Sequence, residues 1–207
     1  MKIGRRSFLE ISFVSLSLWI TGGVAHARHP TVRWDIVSVD FTTTPATFRP
    51  GGIASARAND NSKITLTSSG TFRLNRDEGE GDPGNPQATG GGNWTTFGPA
   101  GNLTGSGTYE VTGLVRFDHA PGMPVGGGNP NDLIGNPANA RPGFAVLSIE
   151  YSDGSEGILV VSCTFAAQTP PAVFEGVTAT KDFVDFWNRE APVPGVNADR
   201  TLFHISQ

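Results

Sequence analysis

The chain has 207 residues, of which 37% are hydrophobic and 16% charged, a length and composition typical of one globular domain with its own core. Its 15 basic residues are outnumbered by 19 acidic residues and form no basic stripe, which excludes nucleic acid and anionic lipid surfaces as expected partners. The single cysteine, Cys163, excludes an intramolecular disulfide and is expected to be a small buried hydrophobe.

The first 27 residues are typical of a cleavable export signal. An apolar run over 11–24 is too short to span a bilayer, and it follows a basic N-terminal region. Ala25 and Ala27 form the small-x-small end that signal peptidase accepts. We therefore predict cleavage after Ala27, which leaves a single β-rich exported domain over 28–207 with no stable membrane span. Without residues 1–27 the domain keeps 12 basic and 18 acidic residues, a formal charge of −6.

The segment 4–10 resembles the twin-arginine export signal. Arg5 and Arg6 are followed by one residue and then by Phe8 and Leu9, which is the pattern that the export receptor reads, although Glu10 stands where a basic residue is usual. The resemblance implies the twin-arginine translocase and signal peptidase as partners, and a periplasmic or extracellular location. The alternative is an ordinary secretory signal that happens to carry two arginines.

The stretch 143–165 carries the strongest structural signal of the domain. Two apolar runs flank Asp153-Gly154, a pair that favours a two-residue hairpin turn. This turn predicts a central hairpin over 144–163 in which Ile149 faces Ile158. Together with the helix described below, the pattern predicts a buried set of Phe144, Leu147, Ile149, Ile158, Val160, Phe183, Phe186 and Trp187.

Alternating apolar residues predict further short strands. A change of phase within the first one, 32–41, indicates a bulge. Three of these strands begin with a small residue, a glycine and a short polar residue before an aromatic, namely Phe72, Trp94 or Tyr109. The predicted strands cover 32–41, 62–67, 71–74, 94–97, 108–117, 172–180 and 200–205.

A short helix is predicted over 181–190. Phe183, Phe186 and Trp187 would share one helical face, and Thr180 could cap the first turn. The fold class that follows is all-β, a small antiparallel β-barrel of about 8–9 strands with one short C-terminal helix. A β-sandwich is the alternative.

Two Gly-, Pro- and Asn-rich loops, 75–93 and 120–142, are longer than a compact domain needs. They are either disordered or frame the mouth of the barrel, where such folds hold ligands.

Sequence patterns of metal and cofactor sites are absent. The acidic run 77–82 lacks the spacing of a calcium loop, and His29, His119 and His204 lie in no metal-binding arrangement. Nucleophile elbows, phosphate-binding loops and strand-linked dinucleotide motifs are also missing from the sequence. We therefore predict no cofactor and no metal.

Four stretches resemble an uncharacterised family of exported bacterial β-rich proteins. They are SKITLTSSGTFRL, GSGTYEVTGLVRFD, YSDGSEGILVVSC and FVDFWNREAPVPGV. The resemblance spans most of 55–207 and implies one exported β-rich domain, with no site carried over. The Gly-x-Gly strand starts also resemble those of the small barrels of dirigent-like and allene-oxide-cyclase-like proteins, which is an analogy of fold alone.

The functional expectation is a non-enzymatic exported protein that binds a small apolar or amphipathic ligand at a barrel mouth. Aromatic side chains would contact the ligand, and Glu110 or Arg116 would orient it. One alternative is a cofactor-independent barrel enzyme, isomerase- or cyclase-like or a hydrolase, that uses His119, Glu110, Glu150 and Tyr151. Another is a surface or structural envelope protein. The candidate ligand-binding residues are Trp94, Tyr109, Glu110, Arg116, His119, Phe183 and Trp187.

Overall fold

The computed structural model describes residues 30–74, 88–120, 130–164, 169–192 and 198–206. The predicted export signal lies outside these ranges, as do His29, the acidic run 77–82 and the parts 75–87 and 121–129 of the two predicted loops. Export, cleavage and the twin-arginine signal therefore stay predictions. Within the described ranges, no helix has the length and apolar character needed to cross a membrane.

The described residues form an all-β fold with fifteen strands, one 3₁₀ turn (Pro137–Asn139) and no α-helix, which confirms the predicted class. The strands are β1 Thr31–Asp40, β2 Thr47–Pro50, β3 Ala54–Arg57, β4 Lys63–Leu66, β5 Ser69–Arg73, β6 Thr89–Phe97, β7 Leu103–His119, β8 Asn131–Asp132, β9 Ala140–Arg141, β10 Gly143–Tyr151, β11 Glu156–Cys163, β12 Gly176–Lys181, β13 Val184–Phe186, β14 Asn188–Arg189 and β15 Arg200–Ser206.

These strands pair into one large, mostly antiparallel sheet that branches. The main path runs β13-β12-β11-β10-β7-β6-β5-β1-β15-β9. A branch leaves β6 through β4 and β3 and ends at β14. The hydrogen-bonded ladder is not closed, because β12 pairs with β13 whereas β3 pairs with β14. Only Trp187 separates β13 from β14, so one stretch of chain connects the two ends.

The hairpin β10–β11 lies centrally between β7 and β12, as predicted, but its predicted register is wrong by one residue. Ile149 lies opposite Gly157 and not opposite Ile158. The turn contains three residues, 152–154, and only Gly154 has a positive φ, +87°. A two-residue Asp-Gly turn would need positive φ at both positions, so Asp153 takes part in a wider turn that ends in a glycine bulge.

This shift exchanges the two faces of β11. Leu159 and Val161 are buried, whereas Ile158 and Val160 are only half-buried. Within the predicted core, Leu147, Ile149 and Phe186 are buried, Phe144 is half-buried, and Phe183 and Trp187 are exposed.

The helix predicted over 181–190 is wrong. The chain instead makes a tight hairpin from β12 to β13 around Asp182 and Phe183, with Asp182 at φ +54°, and then continues into β14. An isolated ten-residue helix is marginal in water, and strand pairing satisfies the same backbone groups in an ordered sheet. The aromatic stripe is explained by alternation, since Phe186 faces the core and its neighbours face outward.

The change of phase in β1 is real, but it is not a bulge. The register between β1 and β15 is continuous from Thr31 to Val37. On its other side β1 changes partner, from β5 at residues 31–35 to β2 at residues 37–40. Ile36 and Val37 are therefore both buried. The bulges lie in β7, whose pairing with β10 shifts twice around Gly113.

The core contains two aromatic clusters. Phe72, Phe117 and Phe203 pack with ring centroids 5.2 and 5.4 Å apart. Further along the sheet, Tyr151 contacts Trp94 at 5.7 Å and Tyr109 at 6.0 Å. Cys163 is buried, as predicted.

Candidate functional site: a cleft formed by four hairpin turns

Four hairpin turns lie together at one end of the sheet. They connect β3 to β4, β6 to β7, β10 to β11 and β12 to β13. We call the space that they enclose the four-turn cleft, a solvent-open cleft of about 460 Å³. Its lining consists of Asp60, Ser62, Trp94, Thr96, Phe97, Gly98, Pro99, Thr104, Gly105, Asp153, Lys181, Asp182, Val184 and Phe186.

A buried ammonium group forms the base of this cleft. Lys181 ends the inward-facing series Val177, Ala179 and Lys181 on β12, so its side chain faces the core. Its Nζ lies 4.7 Å from the centre of the Trp94 ring and 5.1 Å from that of Tyr151. Aromatic faces attract a cation at such distances.

Two carboxylates and a hydroxyl complete the shell of this ammonium. Nζ of Lys181 donates to Asp153 Oδ2 at 2.6 Å, to Ser155 Oγ at 2.8 Å and to Asp182 Oδ2 at 3.1 Å. Burial lowers the pKa of Lys181, but the hydrogen bonds with Asp153 and Asp182 outweigh burial and leave that pKa raised. The hydrogen bond from Lys181 lowers the pKa of Asp153 to about 2. The pair is therefore ionised at neutral pH, and Lys181 is a poor nucleophile there.

The glycines of β7 make room for the indole at the base of the cleft. Trp94 lies opposite Gly107 in the β6–β7 ladder. A Cβ on Gly105 would lie 3.1 Å from the indole, and a Cβ on Gly107 would lie 2.9 Å from its Nε1. The indole nitrogen donates to the carbonyl of Thr108 at 3.1 Å. Part of the glycine-before-aromatic pattern in the sequence therefore has a packing role, because these glycines leave space for the indole of Trp94.

The predicted aromatic ligand contacts lie in three different environments. Trp94 lines the four-turn cleft, whereas Tyr109 is buried behind Tyr151. Phe183 is fully exposed at the tip of the β12–β13 turn, between two residues that line the cleft. Trp187 lies outside the lining, and its Nε1 donates to Asn59 Oδ1 at 3.1 Å.

The predicted polar site residues lie away from this cleft. Glu110 lines a smaller cleft of about 170 Å³ together with Glu150. Arg116 is exposed and forms an ion pair with Asp118 at 2.6 Å. His119 ends β7, nine residues beyond Glu110, which is roughly 30 Å along a strand. Burial, and then the charge of Arg141, lower the pKa of His119.

The polar groups proposed for an enzyme therefore do not meet in one site. Glu110 and Glu150 are directly opposite on β7 and β10, but His119 is at the other end of the sheet. Burial raises the pKa of Tyr151 and keeps its phenol protonated, and its hydroxyl donates to the carbonyl of Thr180 at 2.8 Å.

A row of glutamates marks a second concave surface. Glu110, Glu150 and Glu156 are consecutive cross-strand partners on β7, β10 and β11, and all three are exposed. Beside Glu150 and Glu156 lies an open groove of about 600 Å³, which we call the acidic groove. Like charges directly opposite one another destabilise a sheet, so this row is a cost to the fold.

Two buried polar clusters lie elsewhere. Nε2 of His204 and Oδ2 of Asp132 are 2.7 Å apart, which ties segment 130–139 to β15, and Nδ1 of His204 has no partner among the described residues. Glu175 is buried and accepts hydrogen bonds from the backbone of Thr164 and Thr201. Within the described ranges, no group of three or more metal-ligating side chains could hold a metal ion.

Sequence analysis overlooked the residues that give the four-turn cleft its charge. Asp60, Asp153 and Asp182 each lie in a turn, where an aspartate is ordinary, so no local pattern connects them. Lys181 could have been found, because it continues the inward phase of β12 and is one of only two lysines after residue 27.

Comparisons with known proteins give no relative for this chain. It matches no protein-family model, no curated protein and no solved structure. The resemblance to exported bacterial β-rich proteins therefore stays a prediction.

Proposed function

We propose that this chain is an exported, non-enzymatic binding protein that takes a small amphipathic ligand in the four-turn cleft. The observation that carries the proposal is the composition of that cleft. Apolar side chains, namely half-buried Phe97, exposed Val184 and buried Phe186, share one open concavity with ionised groups. Such a combination suits a ligand with an apolar and a polar part.

The position of the cleft supports the same proposal. Ligands of small barrels enter at the mouth, and the four turns enclose one end of the strands β3, β4, β6, β7, β10, β11, β12 and β13. We also infer that these strands form the small barrel expected from the sequence, with the continuous β13–β14 segment bridging β12 and β3. Pairings on both sides of that segment favour this description over a sandwich.

Exposed apolar residues beside the cleft add further support. Phe183, with a relative exposure of 105%, and Val184, at 39%, occupy the turn that forms one wall. Large apolar side chains that stay exposed beside a concave site are typical of binding surfaces. The enzyme alternative has less support, because its ionisable candidates are spread over both ends of the sheet.

Native mass spectrometry of protein purified from its own host envelope tests the proposal. We expect a co-purifying small molecule, and we expect Val184→Asn to reduce its occupancy. Leu103→Asn is the matched control, since Leu103 is also an exposed apolar residue but lies outside the cleft lining. An empty protein that shows no thermal shift with lipids and metabolites would contradict ligand binding and favour a surface or structural role.

A further inference from the structure

We propose that the ligand of the four-turn cleft carries a positively charged group, most simply an ammonium at the end of an apolar chain. This inference rests on the proposed function, because it assigns the charge of the ligand at that same site. Four ionisable side chains line the cleft, namely Asp60, Asp153, Asp182 and Lys181. Three carboxylates against one ammonium leave a formal charge of −2.

The single lysine of the lining is not available to an anion. An ammonium has three N–H donors, and those of Lys181 match its three acceptors, Asp153, Ser155 and Asp182. Its side chain is only 9% exposed. An anionic head group would therefore approach carboxylates without gaining a hydrogen bond from Lys181.

The carboxylates, in contrast, remain accessible from the cleft. The side chains of Asp153 and Asp182 are 43% and 56% exposed, although each already contacts Lys181. A carboxylate can accept about four hydrogen bonds, so both keep capacity for a second donor. Asp60 adds a third carboxylate from the β3–β4 turn, and its Oδ1 accepts a hydrogen bond from the backbone N–H of Ser62.

This end of the fold already stabilises an ammonium with the chemistry that a ligand would use. The Nζ of Lys181 contacts two aromatic faces as well as two carboxylates. At the outer side of the cleft the ring of Phe97 contacts a second ammonium, that of Lys63, at 5.1 Å. Lys63 itself lies outside the lining.

The apolar part of the ligand has its own wall. Phe97, Pro99, Val184 and Phe186 line the cleft beside the carboxylates. An alkyl chain that covers these side chains gains affinity, because its apolar surface and theirs leave water. The formal charge of −6 over 28–207 also favours the approach of a cation.

Three amphiphiles of equal chain length separate charge from hydrophobicity. Decylammonium, decanoate and decyl maltoside are titrated below their critical micelle concentrations into the mature chain, with binding measured by calorimetry at pH 7.5 in 50 mM salt. We expect the cation to bind about tenfold or more tightly than the other two, and to weaken at 500 mM salt because the carboxylates are partly exposed.

Two double variants with the same change in net charge locate the effect. Asp60→Asn with Asp182→Asn should weaken binding of the cation about fivefold or more, and Asn tolerates the positive φ of position 182. Glu150→Gln with Glu156→Gln, in the acidic groove, should leave the affinity unchanged. Circular dichroism checks that both variants are folded.

The outcomes distinguish this inference from the function on which it rests. Equal binding of all three amphiphiles, lost in Val184→Asn, would overturn the charge assignment but keep the cleft as a binding site. Equal weakening in both double variants would show nonspecific attraction to an acidic protein and overturn the assignment. Failure of all three to bind would overturn both proposals.

Discussion

At the scale of single residues, the fold depends on glycines that admit a large neighbour. Trp94 is nearly buried although it lines a cleft, because Gly105 and Gly107 on the adjacent strand leave space for its indole. A Cβ on Gly113, further along β7, would have only the Cβ of Ser148 within 4 Å. The same residue type therefore has a packing role at one end of β7 and none at the other.

This difference gives a matched pair of substitutions. Gly107→Ala should lower the free energy of unfolding by about 1–3 kcal/mol, because the new methyl group would crowd the Trp94 indole and the Ser152 hydroxyl. Gly113→Ala should change it by less than about 1 kcal/mol. Urea titration followed by tryptophan fluorescence measures both. Equal losses of unfolding free energy in Gly107→Ala and Gly113→Ala would contradict the packing of the Trp94 indole against Gly107.

The protonation of Glu175 is coupled to the stability of the fold. Burial raises its pKa from the usual 4.5 to about 7, although hydrogen bonds from the backbone of Thr164 and Thr201 oppose that increase. Burial likewise raises the pKa of Asp199 to about 6, against a hydrogen bond from the backbone of Ser55. Both carboxyls thus hold a proton more tightly in the folded chain than in the unfolded chain.

The stability of the protein should consequently fall as pH rises from about 4.5 to 7. Over that window the unfolded chain has released the proton of Glu175 while the folded chain retains it, so its contribution is present at lower pH and lost at higher pH. The pKa difference corresponds to at most about 3 kcal/mol.

Urea titrations at pH 5 and pH 8 measure this loss. Glu175→Gln should reduce the difference between the two pH values, and Glu156→Gln, at an exposed position, should leave it unchanged. Identical pH dependence of wild type and Glu175→Gln would contradict the assignment.

At the scale of elements, the β12–β13 hairpin determines the base of the four-turn cleft and the exposure of two aromatic residues. It holds Lys181 at the base of the cleft, and its next two residues form the turn that exposes Phe183. Three residues after Phe183, Phe186 returns to the core with 3% exposure. Strand alternation, and not a helical face, sorts the aromatic residues of this segment.

Alanine substitutions at the two phenylalanines distinguish hairpin from helix. Phe186→Ala should cost about 3–5 kcal/mol of unfolding free energy, as for a buried aromatic residue. Phe183→Ala should cost less than about 0.5 kcal/mol, because its side chain contributes little to the folded core. Thermal and urea denaturation give both values. A large cost at Phe183 would support the packed helix instead.

At the scale of the whole molecule, the four-turn cleft lies at one end of β6 and β7, and Ala88 and Ala120 lie at the other end. The β6–β7 turn lies at the cleft, so the start of β6 and the end of β7 lie at the other end, where the predicted loops attach. The described flanks of these loops, Ala88 and Ala120, are consequently remote from the candidate site. In the proposed function, short turns would therefore frame the ligand site.

Export remains a property of the whole chain that the N-terminal pattern predicts. Replacing both Arg5 and Arg6 by lysine should trap precursor in the cytoplasm, because the twin-arginine receptor distinguishes arginine from lysine whereas a general secretory signal needs only positive charge. Immunoblotting of cell fractions measures the precursor. Unchanged export of the variant would indicate the general secretory route.

The sequence by itself determined the β class and the positions of most strands, because period-two alternation and turn residues are local signals. The hairpin β10–β11 was predicted in its place, since two apolar runs around Asp153-Gly154 leave few alternatives. The register of this hairpin was predicted wrongly. The choice between a two- and a three-residue turn depends on which face of β11 the rest of the sheet covers, and no local pattern gives that face.

Only the tertiary structure determined the charged lining of the four-turn cleft and the hairpin conformation of segment 181–190. Asp60, Asp153 and the adjacent pair Lys181 and Asp182 became neighbours only through strand pairings, which no local pattern encodes. Lys181 is tolerated inside because Trp94, Tyr151 and Asp153 are supplied by β6, β10 and the turn after β10. Segment 181–190 forms a hairpin despite its helical pattern, because pairing with β12 and β3 satisfies the hydrogen bonds of its backbone.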